Sequence, residues 1–250
     1  SVVHGEGYAA PDWIGEDPFA RRGEVLEFRQ RSEALGGDRD VQIYLPARFR
    51  TTRRYPLLIA HDGPDYVRFA SLRNVLDNLI HRLEIPPMIV ALTASTDRLR
   101  EYADDERHAR FLCDELVPEL ERRFPLVPSP QARGLMGASF GAVASLSTAW
   151  RRKGAFGRLL LQSGSFAFTD IGDHGRGPAF DPVVRFVNAY RAAPALPQTR
   201  MFLSCGMYES LINYNRSLVP LLQTAGMEVR FVETPDGHNW ENWRDRLREG

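Results

Sequence analysis

The sequence predicts an α/β protein, in which a mostly parallel sheet of about eight strands carries helices on both faces. Two observations support this prediction. After Pro56, short and almost wholly apolar runs alternate with amphipathic stretches of helical periodicity. Strands that are buried on both faces are apolar throughout, and their alternation with helices is typical of a covered parallel sheet. Before Pro56, two segments alternate apolar with polar residues, which indicates an antiparallel hairpin.

The predicted elements follow one another along a single domain. Residues 1–22 are rich in Gly, Pro and acidic residues, and we expect an irregular lead-in there. The hairpin pairs Glu24–Arg31 with Asp40–Leu45 across Gly36–Asp38. The six apolar runs are Leu57–Ala60, Met88–Leu92, Gly134–Met136, Leu159–Leu161, Met201–Leu203 and Val229–Val232. Helices are expected over 70–84, 104–124, 140–152, 181–192, 211–225 and 239–248. Because no linker interrupts this alternation, residues 23–250 are predicted to form one catalytic domain.

Composition excludes several classes of protein. The chain has 250 residues, of which 43% are hydrophobic and 26% charged, so collagen, coiled coil and intrinsic disorder are excluded. The 32 Lys and Arg residues balance the 32 Asp and Glu residues, and no net positive field exists to attract nucleic acid. The two cysteines are too few for a disulfide framework or for a zinc site built from cysteines alone.

The location and the cofactors are predicted from what the sequence lacks. No apolar run reaches the roughly 18 residues needed to cross a membrane, and the first residues show no signal-peptide pattern. Free thiols are typical of a reducing compartment. We therefore expect a cytoplasmic protein without a membrane span. No cluster of His, Asp and Glu has ligand spacing, so no metal or other cofactor is expected. The oligomeric state is not predicted.

One motif carries chemistry: Gly137–Gly141 has the form G-x-S-x-G. An apolar strand precedes it and a helical stretch follows it, which is the strand–turn–helix context of a nucleophile elbow. In such an elbow Ser139 lies on a strained turn with its hydroxyl exposed, and glycines leave room for the neighbouring backbone. The alternative is that Ser139 is only the N-cap of the following helix.

A serine nucleophile needs a base and a group that orients the base. In this arrangement the acid and then the histidine follow the serine along the chain. His238 lies in the loop after the last apolar run and is the predicted base, whereas His174, in a Gly-rich loop, is the alternative. Glu209 follows the preceding apolar run and is the predicted acid. Asp236 is too close to His238 along the chain to reach around it.

An oxyanion hole requires two hydrogen-bond donors. The first is predicted to be the backbone N–H of Phe140, directly after the nucleophile. The second should come from the loop after the third strand, where Pro64 has no N–H to donate. Gly63 or Asp65 is therefore the expected donor. His61, at the end of that buried strand, is interpreted as a hydrogen-bonded core histidine.

Several short motifs together resemble the enterochelin esterase family of α/β-hydrolases, also called the esterase D-like group. The matching segments are Ala60–Tyr66, Arg98–Tyr102, Gly137–Gly141, Gln162–Phe166, Gly206–Glu209 and Gly237–Trp243. The resemblance implies an α/β-hydrolase fold with Ser139, Glu209 and His238 as the triad. It also implies that the Arg98 segment lies near the pocket, and we assign Asp62, Arg98 and Tyr102 to substrate binding. Relatives often carry a residue with an N–H where Pro64 stands.

The function predicted from these residues is hydrolysis of a carboxylic ester by a serine enzyme. Siderophore-type esters, or other aromatic or short-chain esters, are the expected small-molecule substrates. Two alternatives remain open at this point. The same acyl-enzyme could transfer its acyl group to an alcohol, and water exclusion by neighbouring loops would then decide the outcome. The chain could also be a noncatalytic binding protein of the same fold, although an intact triad in the expected order argues against this.

Overall fold

A computed structural model describes residues 5–169, 173–194 and 198–250. Within these ranges the strands form one eight-stranded sheet in the order β1-β2-β4-β3-β5-β6-β7-β8. The strands are β1 (Glu24–Ser32), β2 (Gly37–Leu45), β3 (Leu57–His61), β4 (Ile89–Thr93), β5 (Arg133–Ala138), β6 (Arg158–Gln162), β7 (Arg200–Gly206) and β8 (Glu228–Thr234). The pairs β1–β2 and β2–β4 are antiparallel and the others are parallel. This confirms the predicted mostly parallel sheet and its antiparallel opening.

Helices lie on both faces of the sheet, as predicted. They are α1 (Gly63–Phe69), α2 (Leu72–His81), α3 (Arg98–Glu101), α4 (Glu106–Arg110), α5 (Val117–Arg123), α6 (Phe140–Arg151), α7 (Asp181–Ala192), α8 (Ile212–Thr224) and α9 (Trp240–Asp245). Neighbouring residues of one strand point to opposite faces. Ile59 and Leu135 accordingly join the core under α4–α8, whereas Ala60 and Met136 join the core under α1, α2 and α9.

The helix predicted over 104–124 is not one continuous α-helix. A π-helical segment, Phe111–Leu116, lies between α4 and α5. Pro118 is the second residue of α5, and a proline supplies no N–H to the residue one turn earlier. The prediction of one continuous helix over 104–124 is therefore wrong, because the chain widens into a π-helical segment just before this proline. The short helices α1 and α3 have no counterpart among the predicted elements.

The N-terminal lead-in contains neither helix nor strand in the part that the structure describes, Gly5–Arg22. Residues 1–4 of the predicted lead-in lie outside the described ranges. The lead-in packs on α2, where the Asn78 side-chain amide donates hydrogen bonds to the carbonyl oxygens of Trp13 and Gly15 at 2.8 and 2.7 Å. Arg82 on the same side forms an ion pair with Asp12 at 2.9 Å.

Candidate active site

The predicted catalytic residues meet at one edge of the sheet. Ser139 directly follows β5, Glu209 lies three residues after β7 ends, and His238 lies four residues after β8 ends. Because these strands are parallel, their carboxyl ends lie at the same edge, which is where α/β proteins place their ligands. The topology thus brings together three side chains that are far apart in the sequence. Ser139 and His238 are separated by 99 positions.

Ser139 has the backbone of a nucleophile elbow. Its φ of 58° and ψ of −119° are strained for a residue with a side chain. A Cβ on Gly137 would lie 2.4 Å from the Gly141 carbonyl carbon, so the tight turn requires glycine at position 137. The Ser139 side chain makes no capping hydrogen bond to α6, which excludes the N-cap interpretation. Its hydroxyl instead lies 3.1 Å from the Ser165 hydroxyl.

His238 and Glu209 form a hydrogen-bonded pair. Nδ1 of His238 lies 2.7 Å from Oε2 of Glu209. The imidazole is partly open, with 39% of the side chain exposed, whereas the Glu209 side chain has no exposed surface. The alternative base, His174, bonds to Asp181 on α7 through Nε2, at 3.0 Å. The geometry therefore favours His238.

Three donors besides His238 hold the Glu209 carboxylate through Oε1. They are the Ser163 hydroxyl at 2.6 Å, the Gly206 backbone N–H at 2.7 Å and the Asn242 side-chain amide at 3.3 Å. Burial alone raises the pKa of Glu209, but the hydrogen bonds from His238, Ser163 and Gly206 outweigh it and hold the pKa below its usual value. Glu209 is therefore a carboxylate that keeps its charge beside His238.

Sequence reasoning assigned no role to Ser163 or Asn242. Both lie in segments that carry the family resemblance, Gln162–Phe166 and Gly237–Trp243, and this was the available signal. Their role follows only from the tertiary structure, because the loop after β6 and helix α9 must come together over Glu209. Trp243 completes this packing, since its indole N–H donates to the Ser163 hydroxyl at 2.8 Å.

Arg98 lies in the same cleft and is bound to Asp62. Nε and Nη2 of Arg98 each lie 2.9 Å from Oδ2 of Asp62, and Nη2 also donates to the Ala138 carbonyl oxygen at 3.3 Å. Asp62 has a left-handed φ of 54°, and its N–H donates to the Tyr102 hydroxyl oxygen at 3.2 Å. The guanidinium is thus held beside the residue that precedes the nucleophile.

Two of the residues assigned to substrate binding hold neighbouring residues in place. The Tyr102 side chain is fully buried and lies outside the cleft lining, which argues against direct contact with a substrate, and its assignment to substrate binding stays a prediction. Asp62 is also absent from that lining, and its carboxylate is occupied by Arg98. The sequence could not show these supporting contacts, because residues that touch a substrate and residues that hold them in place can lie in the same sequence motif.

Helix α3 is only four residues long and is anchored by its last residue. Buried Glu101 accepts hydrogen bonds from Arg39 at 3.1 Å, from Ser95 at 2.7 Å and from Thr96 at 3.1 Å. A buried carboxylate is retained only when charge and hydrogen bonds satisfy it. These contacts fix the start of α3, and therefore the position from which Arg98 enters the cleft.

The candidate oxyanion donors differ in whether their backbone N–H is already hydrogen-bonded. Phe140 is the first residue of α6, and the first N–H groups of a helix have no acceptor within that helix. The N–H of Asp65 donates to the Asp62 carbonyl oxygen at 3.0 Å and is therefore occupied. Gly63 is buried at the start of α1, where a Cβ would lie 2.4 Å from the Leu92 Cα. Its role as a donor stays a prediction.

His61 is a core histidine, as interpreted from the sequence. Its Nδ1 lies 3.1 Å from the Met136 carbonyl oxygen, which requires a hydrogen on Nδ1. Its Nε2 must then accept from Nε2 of buried His108, 3.0 Å away. Burial lowers the pKa of His61 to about 4 and that of His108 well below its usual value. Both rings are therefore neutral supports beneath the elbow.

The cleft has a volume of about 420 Å³ and is mainly apolar and aromatic around the nucleophile. Its described lining residues are Arg98, Leu99, Ser139, Phe140, Ser165, Arg176, Phe180, Glu209, Ser210, Leu211 and His238. Apolar walls around a few polar groups are typical of a site for a small organic ligand.

The model of one protein family, described as an esterase family, matches residues 32–250. The chain belongs to this esterase family. The match confirms the resemblance drawn from the sequence motifs, and it confirms the prediction of a carboxylic ester hydrolase at the level of the family. The α/β-hydrolase fold is confirmed as well, since solved esterase structures align with most of the chain.

Three proteins illustrate what this chain is similar to. The Bacillus subtilis protein YjcH is 29% identical over 90% of this chain and 94% of its own length. The iron(III) enterobactin esterase of Dickeya dadantii is 27% identical over 93% of this chain, which spans 55% of that enzyme. The structure of a ferulic acid esterase, 20% identical, aligns with a TM-score of 0.77 over 91% of this chain and 96% of its own.

None of the described helices is long and apolar enough to cross a bilayer. Among the same residues, no three His, Cys, Asp or Glu side chains are grouped so that they could hold a metal ion.

Proposed function

We propose that this esterase uses Ser139, His238 and Glu209 as a catalytic triad and hydrolyses siderophore-type or other aromatic or short-chain esters through an acyl-enzyme. The observation that carries the proposal is the His238–Glu209 pair at 2.7 Å, in one cleft with a serine on a strained elbow. The enterobactin and ferulic acid esterases among the relatives support the aromatic substrate class.

The triad would act in two steps. In the first, the Ser139 hydroxyl oxygen attacks the ester carbonyl while Nε2 of His238 takes the hydroxyl proton and returns it to the departing alcohol. In the second, His238 takes a proton from water, the hydroxide attacks the acyl carbonyl, and the proton returns to Ser139 as the acid leaves. Glu209 holds the hydrogen on Nδ1 and stabilises the imidazolium formed in each step.

The resting hydroxyl of Ser139 bonds to Ser165 rather than to His238. Catalytic hydrogen bonds are often loose before substrate binds and tighten in the complex. A rotation about the Cα–Cβ bond of Ser139 would move the hydroxyl away from Ser165. Ser165 therefore serves as a resting partner in the proposed cycle.

The oxyanion would be bound by backbone donors and by a cation. The Phe140 N–H is the first donor, as in other nucleophile elbows. Gly63 stays the predicted second backbone donor, since Pro64 has no N–H and the Asp65 N–H is occupied. Arg98 is the available cation: it lies beside Ala138, lines the cleft and is held in place by Asp62. A guanidinium fixed there would stabilise the developing negative charge without having to reorganise.

Hydrolysis is favoured over acyl transfer because the cleft is open to water. His238 must activate the second nucleophile, and 39% of its side chain is exposed. An enzyme that transfers acyl groups has to exclude water from that position.

A cytoplasmic location also stays a proposal, and it is supported by the free thiols of Cys113 and Cys205.

The first test is hydrolysis of p-nitrophenyl butyrate by the wild type and by Ser139→Ala. We expect kcat/KM to fall by about a thousandfold or more, because the nucleophile is lost while the rest of the cleft remains. Ser129→Ala is the matched control. Ser129 lies before β5, near the edge of the sheet opposite the cleft, so this variant should keep the wild-type rate. Equal activity of wild type and Ser139→Ala would show that Ser139 is not the nucleophile.

A further inference from the structure

The two arginines that line the catalytic cleft differ in how their charge is balanced. Arg98 is bound to the carboxylate of Asp62 through two nitrogens, both at 2.9 Å. Arg176, on the loop before α7, forms no ion pair with any carboxylate in residues 5–169, 173–194 and 198–250. The charge of Arg98 is therefore compensated by Asp62, whereas the charge of Arg176, which faces the cleft, is not compensated by any carboxylate among the described residues.

The Arg176 guanidinium is nevertheless held in one orientation. Nη2 donates to the Ser210 carbonyl oxygen at 2.7 Å. The guanidinium carbon lies 5.4 Å from the ring centre of Phe180 and 5.0 Å from that of Tyr214. Cation–π contacts of this kind fix a guanidinium without using its hydrogen-bond donors. Within the described chain, the bond to Ser210 is the sole hydrogen bond of this five-donor group.

The other charged groups of the cleft do not compensate for Arg176. Glu209 is committed to His238, Ser163, Gly206 and Asn242, and its side chain has no exposed surface. The remaining described lining residues are neutral serines, leucines and phenylalanines, apart from His238 and the paired Arg98. A partly buried, oriented and unpaired guanidinium at a binding cleft is suited to grip a carboxylate in a planar fork.

We propose that Arg176 is a specificity-determining residue that binds an anionic group, a carboxylate, carried by the ester substrate. The proposal rests on the proposed function, since it names the class of ester that the same Ser139 cleft prefers. The carboxylate can be on the acyl group or on the alcohol, and the chemistry of recognition is the same in both cases. Arg98, by contrast, acts at the reacting carbonyl and leaves this second position to Arg176.

A purely structural role would also use the contacts of Arg176. The bond to Ser210 ties the loop before α7 to the loop after β7, which carries Glu209. Loss of this tie would disturb the triad and lower activity towards every ester alike. Loss of an anion-binding group would lower activity towards anionic esters only. The ratio of the two rates within one variant therefore separates the roles.

The experiment measures kcat and KM for two pairs of esters. The acyl-side pair is p-nitrophenyl hemiglutarate, which carries a carboxylate, and p-nitrophenyl hexanoate, which does not. The alcohol-side pair is the butyrate ester of p-hydroxybenzoate and that of its methyl ester. The proteins are the wild type, Arg176→Met, Arg176→Lys and the control Arg185→Met, an exposed arginine on α7 outside the cleft lining.

We expect the wild type to prefer the anionic member of at least one pair. In Arg176→Met the kcat/KM for that ester should fall about 10- to 100-fold, mainly through KM, since one charge-assisted contact of this kind is lost. The kcat/KM for the neutral ester should fall by a much smaller factor, because that ester never used the contact. Arg176→Lys should keep part of the preference, and Arg185→Met all of it.

Two results would overturn the inference while leaving the esterase intact. One is a wild type that hydrolyses the neutral esters but prefers neither anionic ester. The other is an Arg176→Met variant in which anionic and neutral esters slow by the same factor, which would make Arg176 a loop tether. Failure of the proposed function looks different: no ester would be turned over, Ser139 would not react with a fluorophosphonate, and the inference would fall with it.

Discussion

Two shielded carboxylates, Asp62 and Glu209, each hold one side chain in place at the same edge of the sheet. Asp62 directly follows β3 and Glu209 follows β7 by three residues. Each carboxylate binds one functional side chain of the cleft, Arg98 at 2.9 Å and His238 at 2.7 Å. Both are well shielded, with 11% and 0% of the side chain exposed. The same arrangement, a shielded carboxylate that binds one side chain of the cleft, thus occurs twice in the fold.

The difference lies in the partner and not in the carboxylate. An arginine keeps its positive charge at every working pH, so Asp62 holds in Arg98 a guanidinium whose protonation does not change. A histidine can take up a proton and give it back, so under the proposed function Glu209 with His238 presents a base that can become an acid. The same kind of shielded carboxylate would therefore support a fixed electrostatic contact in one place and proton transfer in the other.

Removing the proton carrier should have the largest effect. In His238→Ala the kcat/KM for p-nitrophenyl butyrate should fall by about a thousandfold or more, because no group remains to take the Ser139 proton. Thermal unfolding should change little, since the imidazole is partly exposed. His174→Ala tests the alternative base. If it lost as much activity as His238→Ala, the assignment of the base would be wrong.

Removing the fixed cation should have the next largest effect. Arg98→Met should lower kcat for the same neutral ester by about 100- to 1000-fold, the usual cost of one oxyanion donor, with KM little changed. Steady-state kinetics check this expectation. Arg98→Lys is the matched variant, which keeps the charge but loses the fork. A change in KM with unaltered kcat would assign Arg98 to substrate binding instead of to the oxyanion.

The smallest expected effect concerns acid stability. The folded-state pKa of Glu209 lies below its usual value of 4.5, so ionised Glu209 stabilises the fold above about that pH. This contribution should disappear as the pH falls through the lowered pKa. Urea unfolding between pH 7 and 3 should show a steeper loss for the wild type than for Glu209→Gln, whose side chain does not titrate. Parallel curves would contradict the assigned shift.

The sequence predicted the elements that carry the site better than the elements that support it. The apolar runs and the G-x-S-x-G motif located β5 and α6, since buried strands and strained turns leave strong local patterns. The helix predicted over 104–124 was interrupted, and Tyr102 proved to be buried. Short helices such as α3 leave no such pattern, because they are stabilised by remote contacts, here Arg39 with Glu101.

What the sequence determined by itself is the order of the strands and helices and the identity of the chemically capable residues. Periodicity and chain order contain that information, because both are local properties. The tertiary structure alone decided which capable residues face the cleft and which hold their neighbours. Asp62 binds Arg98, Ser163 and Asn242 hold Glu209, and Arg176 has no carboxylate partner among the residues that the structure describes. Such roles depend on distances between loops that are far apart along the chain, and no local pattern records those distances.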